Sequence, residues 1–272
     1  MNVIDRNSIL SVPLTLRAQN NERLGNATGF FWRGAAGRTY LVSNRHVFTG
    51  NHYQTNACLR NDSAFPMTIE YPRMVNVQHP HERAVHTVRL CDEAGNCSEW
   101  CGHPIHDTAP VDIGFIEVPS VANDSSYVVA INDRIEYECG QILKRYPPGF
   151  ELIVAGFFLN DRPTGYFPTY IRASVASEMD ALYHGKLAFL IDGQTSSGMS
   201  GSPVYATGLD AIDPTKKFGG GFKTTSPFVG IYSGRIIEVE DEKKRELQVG
   251  VVWRRELISE MIASYEAKLG DK

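Results

Sequence analysis

Long hydrophobic runs are missing from this sequence, and so is an excess of charge of either sign. No apolar run approaches the roughly 20 residues that cross a bilayer, so no membrane partner is expected. The 272 residues include 27 Lys and Arg against 31 Asp and Glu, which gives a net charge of −4. That balance provides no electrostatic attraction for a nucleic acid. The N-terminus also lacks the apolar core of a signal peptide, which predicts a cytoplasmic protein.

Cysteine is scarce and irregularly spaced, with five residues in the whole chain. An odd number at irregular spacing is not typical of a disulfide framework, and reduced thiols fit a cytoplasmic protein. Three of the five lie in a short segment followed by two histidines: Cys91, Cys97, Cys101, His103 and His106. The paired C-x₂-C spacing of zinc sites is missing there. Free thiols on a loop are therefore expected, with a zinc site and a local disulfide as alternatives.

Most of the chain consists of short stretches rich in β-branched and aromatic residues, separated by Gly, Pro, Asn and Asp. This pattern predicts short strands, and regular short strands are typical of barrels or sandwiches. The predicted strands are Ser11–Ala18, Gly29–Arg33, Thr39–Ser43, Met67–Tyr71, Val85–Leu90, Asp112–Val118, Ser126–Ile131, Leu152–Phe158, Tyr170–Ser177, Leu187–Ile191, Gly201–Tyr205, Phe228–Tyr232 and Leu247–Val252.

One helix is predicted, over Arg254–Leu269, where apolar residues recur at helical spacing before Gly270. Turn formers at Val121–Ser125 divide the strand-rich halves. The predicted organisation is an N-terminal unit over 1–123, a second unit over 124–253 and the helix over 254–272. Two long polar insertions, Cys91–Pro110 and Ala206–Pro227, stand out, and long loops in a compact domain are often functional.

The sharpest local motif is Gly198-Met199-Ser200-Gly201. A glycine two residues before a serine lets the backbone turn its N–H groups towards one oxygen, which an acyl-transfer nucleophile requires. The amides of Gly198 and Ser200 are therefore candidate donors to an oxyanion. Taken alone the motif is weak, because glycine and serine also build ordinary turns.

Two further residues fit the same chemistry. His46 follows the apolar stretch Tyr40–Ser43, a placement that fixes the imidazole while leaving one nitrogen free for proton transfer. Asp112 opens an otherwise apolar strand, and a buried carboxylate needs a partner such as an imidazole N–H. An aspartate that caps a loop is the alternative interpretation, and Asp107 is the nearest competing carboxylate. The chain order His46, Asp112, Ser200 is the order of the chymotrypsin-type triad, and the three residues come from both halves of the chain.

With these motifs in place, the sequence resembles the trypsin-like serine peptidases of the chymotrypsin-fold superfamily, in particular the compact bacterial branch without PDZ domain or structural disulfides. The matching stretches are TGFFW, YLVSNRHVF, VDIGFIEV, GMSGSPVY, FVGIYSG and VGVVWRREL, in the family's order. The resemblance implies an all-β fold of two six-stranded antiparallel β-barrels with a C-terminal α-helix. It implies a serine endopeptidase with His46, Asp112 and Ser200 as catalytic residues and an oxyanion hole formed by Gly198 and Ser200.

The resemblance also implies a substrate-binding site. The strand formed by Ile231, Tyr232, Ser233 and Gly234 would pair with the substrate backbone. Gly250 would lie on the wall of the primary specificity pocket, with Gln194 near its base. Thr195 is slightly similar to its counterpart in glutamyl endopeptidases, but Tyr232 stands where those enzymes place a histidine. Arg235 is an alternative contact for an acidic side chain.

Met199 stands where the digestive members of the family carry an aspartate that pairs with a new N-terminus, so no zymogen switch of that kind is expected. The sequence predicts a protein or peptide substrate and no cofactor or metal. A specific intracellular target or activator that orders the loop Ala206–Pro227 is a further hypothesis. The alternative functions are a catalytically silent protease-fold binding module and a serine esterase.

Overall fold

The computed structural model describes residues 6–76, 78–91, 110–118, 126–133, 146–158, 164–209, 224–240 and 243–270. These residues form two antiparallel sheets of six strands each, a small two-stranded sheet and a long C-terminal helix. No helix in these ranges is both long enough and apolar enough to pass through a membrane.

The first sheet belongs to the N-terminal part of the chain. Its strand order is β5-β4-β1-β2-β3-β6, and it does not close into a barrel through the described strands. The strands are β1 Ser11–Arg17, β2 Arg23–Arg33, β3 Thr39–Ser43, β4 Thr68–Met74, β5 Arg83–Arg89 and β6 Gly114–Glu117. A short helix, α1 Arg45–Thr49, follows β3 directly.

The second sheet is a closed barrel with the order β10-β13-β14-β9-β8-β7. Its strands are β7 Glu151–Gly156, β8 Thr169–Val175, β9 Ala188–Gly193, β10 Pro203–Ala206, β13 Phe228–Glu240 and β14 Lys243–Arg254. The two-residue strands β11 Gly208–Leu209 and β12 Thr224–Thr225 pair with each other beside it. β13 and β14 are far longer than predicted and form a hairpin that extends beyond the barrel.

The predicted fold class is confirmed: the molecule is mostly β, with two six-stranded antiparallel sheets and a C-terminal helix. One predicted strand is wrong, because Ser126–Ile131 contains only isolated bridges and leads into a 3₁₀ turn, Ile131–Asp133. The carboxylate of Asp133 accepts the amide of Ala130 at 3.3 Å and pairs with Arg33. The turn thus takes an amide that a continued strand would have used.

The helix α2 Arg255–Gly270 completes the core between the two sheets. Its buried residues Leu257, Ile258, Met261 and Ile262 join one apolar cluster with Phe30 and Tyr40 of the first sheet and Phe228 and Trp253 of the barrel. Burying an aliphatic side chain of this size contributes about 1.5–3 kcal/mol. The helix starts at Arg255, one residue later than predicted, because Arg254 still belongs to β14.

The expectation of reduced thiols is wrong at one position. Cys91 is disulfide-bonded, whereas Cys58 is free and exposed. Disulfides are typical of oxidising compartments, so the cysteines no longer support a cytoplasmic location. The predicted zinc alternative at Cys97 to His106 falls outside the described residues. So do the predicted division at 121–125 and most of the loop Ala206–Pro227.

Candidate active site

His46 is positioned by the sharp change from strand β3 to helix α1. Asn44 is the N-cap residue in an extended conformation, and Gly50 ends the helix in the left-handed region, its N–H donating to the His46 carbonyl. Asn44 is fully buried, and its side-chain amide donates to the main-chain oxygen of Asp112 at 2.7 Å. This bond ties the segment before His46 to the segment that carries Asp112.

Asp112 is 1% exposed and has three hydrogen-bond donors. The His46 amide donates to Oδ1 at 3.0 Å, while His46 Nδ1 and the Ser233 hydroxyl both bond Oδ2, at 2.7 and 2.5 Å. Burial alone would raise the pKa of Asp112, but the His46 charge and these bonds together hold the pKa below its usual value. The group is thus an ionised carboxylate that orients the imidazole.

The His46 imidazole is affected in the opposite sense. Burial works to lower its pKa, yet the charge of Asp112 and the hydrogen bond to it raise the pKa above its usual 6.5. With Nδ1 bonded to the carboxylate, Nε2 is the nitrogen left for a reacting group, and His46 lines an open cleft. The contact to Asp112 thus leaves Nε2 available to a group that enters the cleft.

Ser200 lies in a tight turn between β9 and β10. Gly198 and Gly201, on either side of it, both have positive φ, +93° and +85°, which side chains rarely adopt. A Cβ on Gly201 would also lie against the Thr28 carbonyl oxygen and the Ser43 hydroxyl. The hydroxyl of Ser200 donates to the main-chain oxygen of Ser233 at 3.0 Å. A rotation about Cα–Cβ would redirect it from this carbonyl.

Thr28 in β2 holds this turn from the side of the first sheet. Its amide donates to the Ser200 carbonyl at 2.9 Å, and its hydroxyl donates to the Gly198 carbonyl at 3.1 Å. Within the described ranges, the amides of Gly198 and Ser200 have no hydrogen-bond acceptor. Thr28 thus holds the carbonyls of Gly198 and Ser200, while the amides of the same two residues remain available to a ligand oxygen.

The three predicted catalytic residues line one cleft of about 440 Å³. Part of its wall comes from β13, with Tyr232, Ser233, Gly234 and Arg235, and another part from the aromatic residues Tyr53 and Tyr183. The structure therefore brings His46, Asp112 and Ser200 to one concave surface, the kind of place where substrates bind.

The predicted substrate-binding residues are only partly together. Ser233 and Gly234 lie in the cleft wall, whereas Gln194 is exposed and does not line this cleft. Ile231 is fully buried, and it pairs with Pro203 on one neighbouring strand and with Trp253 on the other. A substrate backbone therefore cannot pair with the strand at Ile231. Arg235, the alternative contact for an acidic side chain, forms an ion pair with Glu246 at 2.7 Å.

Two positioning residues were missed by the motif reasoning. Thr28 lies in the TGFFW segment, which drew attention only through the family resemblance. The hydroxyl of Ser43 donates to the Thr28 carbonyl at 2.7 Å and thereby links the end of β3 to Thr28. Both are buried polar residues in apolar strands, which is the signal that could have revealed them.

A cluster of metal-ligand type was also not predicted. His79, His81 and Glu82 have ligand atoms within 4.8 Å of one another, but all three side chains are exposed and lie in the turn between β4 and β5. None of them lines the cleft.

Comparison with known proteins finds matches among solved structures but none among sequences. No protein-family model matches the chain, and no curated protein sequence matches it. A similar solved structure is that of the Rv3671c protease from M. tuberculosis in its active form. It is 13% identical, with a TM-score of 0.43, and the match covers 94% of this chain and 81% of that chain.

Proposed function

We propose that this protein is a serine endopeptidase that cleaves protein or peptide substrates through an acyl-enzyme on Ser200. The observation that carries the proposal is the bond between His46 Nδ1 and the buried carboxylate of Asp112, 2.7 Å long, in the same cleft as Ser200. A buried ionised carboxylate beside an imidazole fixes the base that a serine nucleophile needs.

In the proposed reaction, the Ser200 hydroxyl turns from the Ser233 carbonyl towards His46 Nε2. The oxygen attacks the peptide carbonyl while its proton passes to Nε2, and the negative charge develops on the substrate oxygen. The amides of Gly198 and Ser200 are the donors proposed for that oxygen. The C–N bond then breaks as His46 returns the proton to the leaving amine, and water releases the acyl group by the same route.

The substrate backbone is proposed to lie along β13 beyond Ile231. One edge of this strand pairs with β14, through Gly234 with Val251 and Arg235 with Gly250. On the other edge, within the described residues, the ladder with β10 extends only from Phe228 to Ile231. Ser233 and Gly234 lie beyond this ladder and beside Ser200. The Ser233 carbonyl accepts the Ser200 hydroxyl here and becomes free when that hydroxyl turns to His46. An extended peptide can then add along this edge as a further strand.

A fluorophosphonate probe tests the nucleophile directly, because it labels only an activated serine. The wild-type protein should be labelled once, and Ser200→Ala should lose both labelling and cleavage of a casein-derived peptide mixture. Ser197→Ala is the matched control, since Ser197 is an exposed serine of the same turn. Labelling of Ser200→Ala at the wild-type rate would refute the assignment.

The same proteins separate the alternatives. A serine esterase would hydrolyse activated esters but leave peptides uncut, whereas a silent binding module would react with neither substrate nor probe. Peptide cleavage that depends on Ser200 and His46 together is the result expected from the proposed endopeptidase.

A further inference from the structure

The aromatic residue Tyr232 lines the cleft beside Ser200, and its side chain is almost completely buried. Tyr232 immediately precedes Ser233, and its carbonyl accepts the Gly201 amide at 2.9 Å, so its backbone lies against the turn of the nucleophile. The residue lines the cleft, yet it is only 2% exposed and packs into the apolar cluster of the barrel. The ring therefore separates the cleft from the barrel interior.

Both sides of the ring are fixed. The phenol oxygen lies 2.5 Å from the hydroxyl of Thr195, which is buried five positions before Ser200. On the opposite strand, a Cβ built on Gly250 would come within 2.6 Å of the ring atom Cε2. Glycine at this position thus leaves the space that the ring fills, and the hydroxyl pair anchors the tip of the side chain across that space.

We propose that Tyr232 restricts cleavage to peptides whose attacked carbonyl belongs to a residue with a small, uncharged side chain, such as alanine, glycine or serine. This inference rests on the proposed function. A peptide laid along Ser233 and Gly234, with its carbonyl at Ser200, turns that side chain towards the floor between the turn of Ser200 and β14. There the ring of Tyr232, the hydroxyl of Thr195 and the backbone of Gly250 already occupy the volume.

The charges around Tyr232 disfavour acidic and basic side chains, just as the lack of space disfavours large ones. The phenol is neutral, since burial raises the pKa of Tyr232, and the guanidinium of Arg235 at the rim is paired with Glu246. An acidic or basic side chain would enter without a free counter-charge from these groups, and a buried unpaired charge is costly. Rejection of one or two extra methylene groups in such a site corresponds to about 10- to 200-fold in kcat/KM for each.

The test uses internally quenched peptides that differ only in the residue whose carbonyl is attacked: Ala, Ser, Leu, Phe or Glu. The wild-type protein should cleave after Ala and Ser at least tenfold faster than after Leu, Phe or Glu. Tyr232→Ala should raise cleavage after Phe relative to Ala by at least tenfold. Tyr232→Phe, which keeps the ring and removes only the hydroxyl, should retain the preference for small residues.

Tyr232→Val is a milder second variant in case Tyr232→Ala does not fold, and it should shift the preference towards Leu. p-Cresol, which matches the deleted side chain, should inhibit cleavage after Phe by Tyr232→Ala and leave the wild-type protein unaffected. Equal wild-type rates after Ala and Phe, or an unchanged preference in the folded alanine or valine variant, would overturn the inference while fluorophosphonate labelling still supported the proposed function. A wild-type protein that is neither labelled nor active would overturn both.

Discussion

The hydroxyl of Thr28 donates a hydrogen bond to the carbonyl oxygen of Gly198, 3.1 Å away and 170 positions later in the chain. The same hydroxyl accepts the amide of Phe157 at 2.9 Å, and the Thr28 amide holds the Ser200 carbonyl. A strand of the first sheet thus sets the backbone of the turn that carries the candidate nucleophile in the barrel. The placement of the proposed oxyanion donors therefore depends on contacts between this strand and the barrel.

Thr28→Val keeps the shape of the side chain and removes its hydroxyl. We expect kcat to fall by at least about tenfold with KM little changed, because the donors act mainly on the transition state. The melting temperature should also fall, since the Phe157 amide loses its acceptor, at a cost of about 1–3 kcal/mol. Thr28→Ser retains the hydroxyl and should restore most of kcat. Equal kcat values for the valine and serine variants would contradict this role.

Asp112→Asn tests the carboxylate with little change of shape. An amide in this position can present its NH₂ to Nδ1 and so favour the wrong imidazole tautomer, and we expect kcat to fall by about 10⁴-fold. Labelling by the fluorophosphonate should slow in parallel. The measurement is kcat on a peptide substrate together with circular dichroism, which should show an unchanged fold. A loss below tenfold would argue against the triad.

The pH dependence should identify His46 as the base. Activity requires the neutral imidazole, and the pKa of His46 is raised by Asp112, so kcat/KM should rise with pH through a midpoint above 6.5. In Asp112→Asn, burial remains but the carboxylate charge is gone, and the midpoint should move to lower pH. A pH–rate profile of both proteins, with an NMR titration of the histidines, checks the direction. A shift to higher pH in the variant would be the contrary result.

The same pair predicts how stability responds to acid. The folded-state pKa of Asp112 is lowered, so its contribution is present above the usual carboxylate pKa of 3.8 and is lost as the pH falls through the folded value. His46, whose folded pKa is raised, contributes below its usual 6.5 and loses that contribution as the pH rises. Denaturant unfolding of the wild type and Asp112→Asn should therefore differ least at the acid end. A constant difference from pH 3 to 8 would exclude this linkage.

Ser233→Ala removes the hydroxyl that donates to Asp112 Oδ2 at 2.5 Å and leaves the backbone of β13 in place. The pKa of Asp112 should rise, because the hydrogen bond from Ser233 is one of the interactions that lower this pKa. One hydrogen bond to a charged group is worth about 1.5–3 kcal/mol, so kcat/KM should fall between about tenfold and a hundredfold. The acid limb of the pH–rate profile should shift as well. Unchanged kinetics would show that the hydroxyl does not support the carboxylate.

Gly201→Ala and Gly37→Ala separate backbone strain from crowding. Both glycines have positive φ, +85° and +77°, but a Cβ on Gly37 meets no atom within 4 Å, whereas one on Gly201 lies against Thr28 and Ser43. The conformational cost of about 1–2 kcal/mol is shared by both. Crowding should add about 1–3 kcal/mol only at Gly201. If both variants lost the same free energy of unfolding, the atoms of Thr28 and Ser43 around Gly201 would have moved aside without cost.

Local sequence patterns were enough for the elements with a clear period or boundary. Thr39–Ser43 was predicted with both ends correct, and α2 was predicted within one residue, because apolar spacing and turn formers act over a few positions. The strand at Ser126–Ile131 failed because a side chain, Asp133, competes for the backbone amide. The long hairpin of β13 and β14 was truncated because its outer part has mixed charges that local propensity does not recognise.

The sequence by itself determined the all-β class, the C-terminal helix and the three residue types of the candidate triad. The order of the three candidate residues in the chain and the short motifs around them were sufficient for this assignment. Only the tertiary structure decided that Asp112 receives three donors, that Thr28 holds the turn of Ser200, and that Tyr232 meets Thr195 beside the cleft. The side-chain bonds to Asp112 join residues 66 and 121 positions apart, and the bond from Thr28 to Gly198 spans 170 positions. They arise from packing between sheets, and no local pattern encodes which buried hydroxyl or ring will meet which backbone.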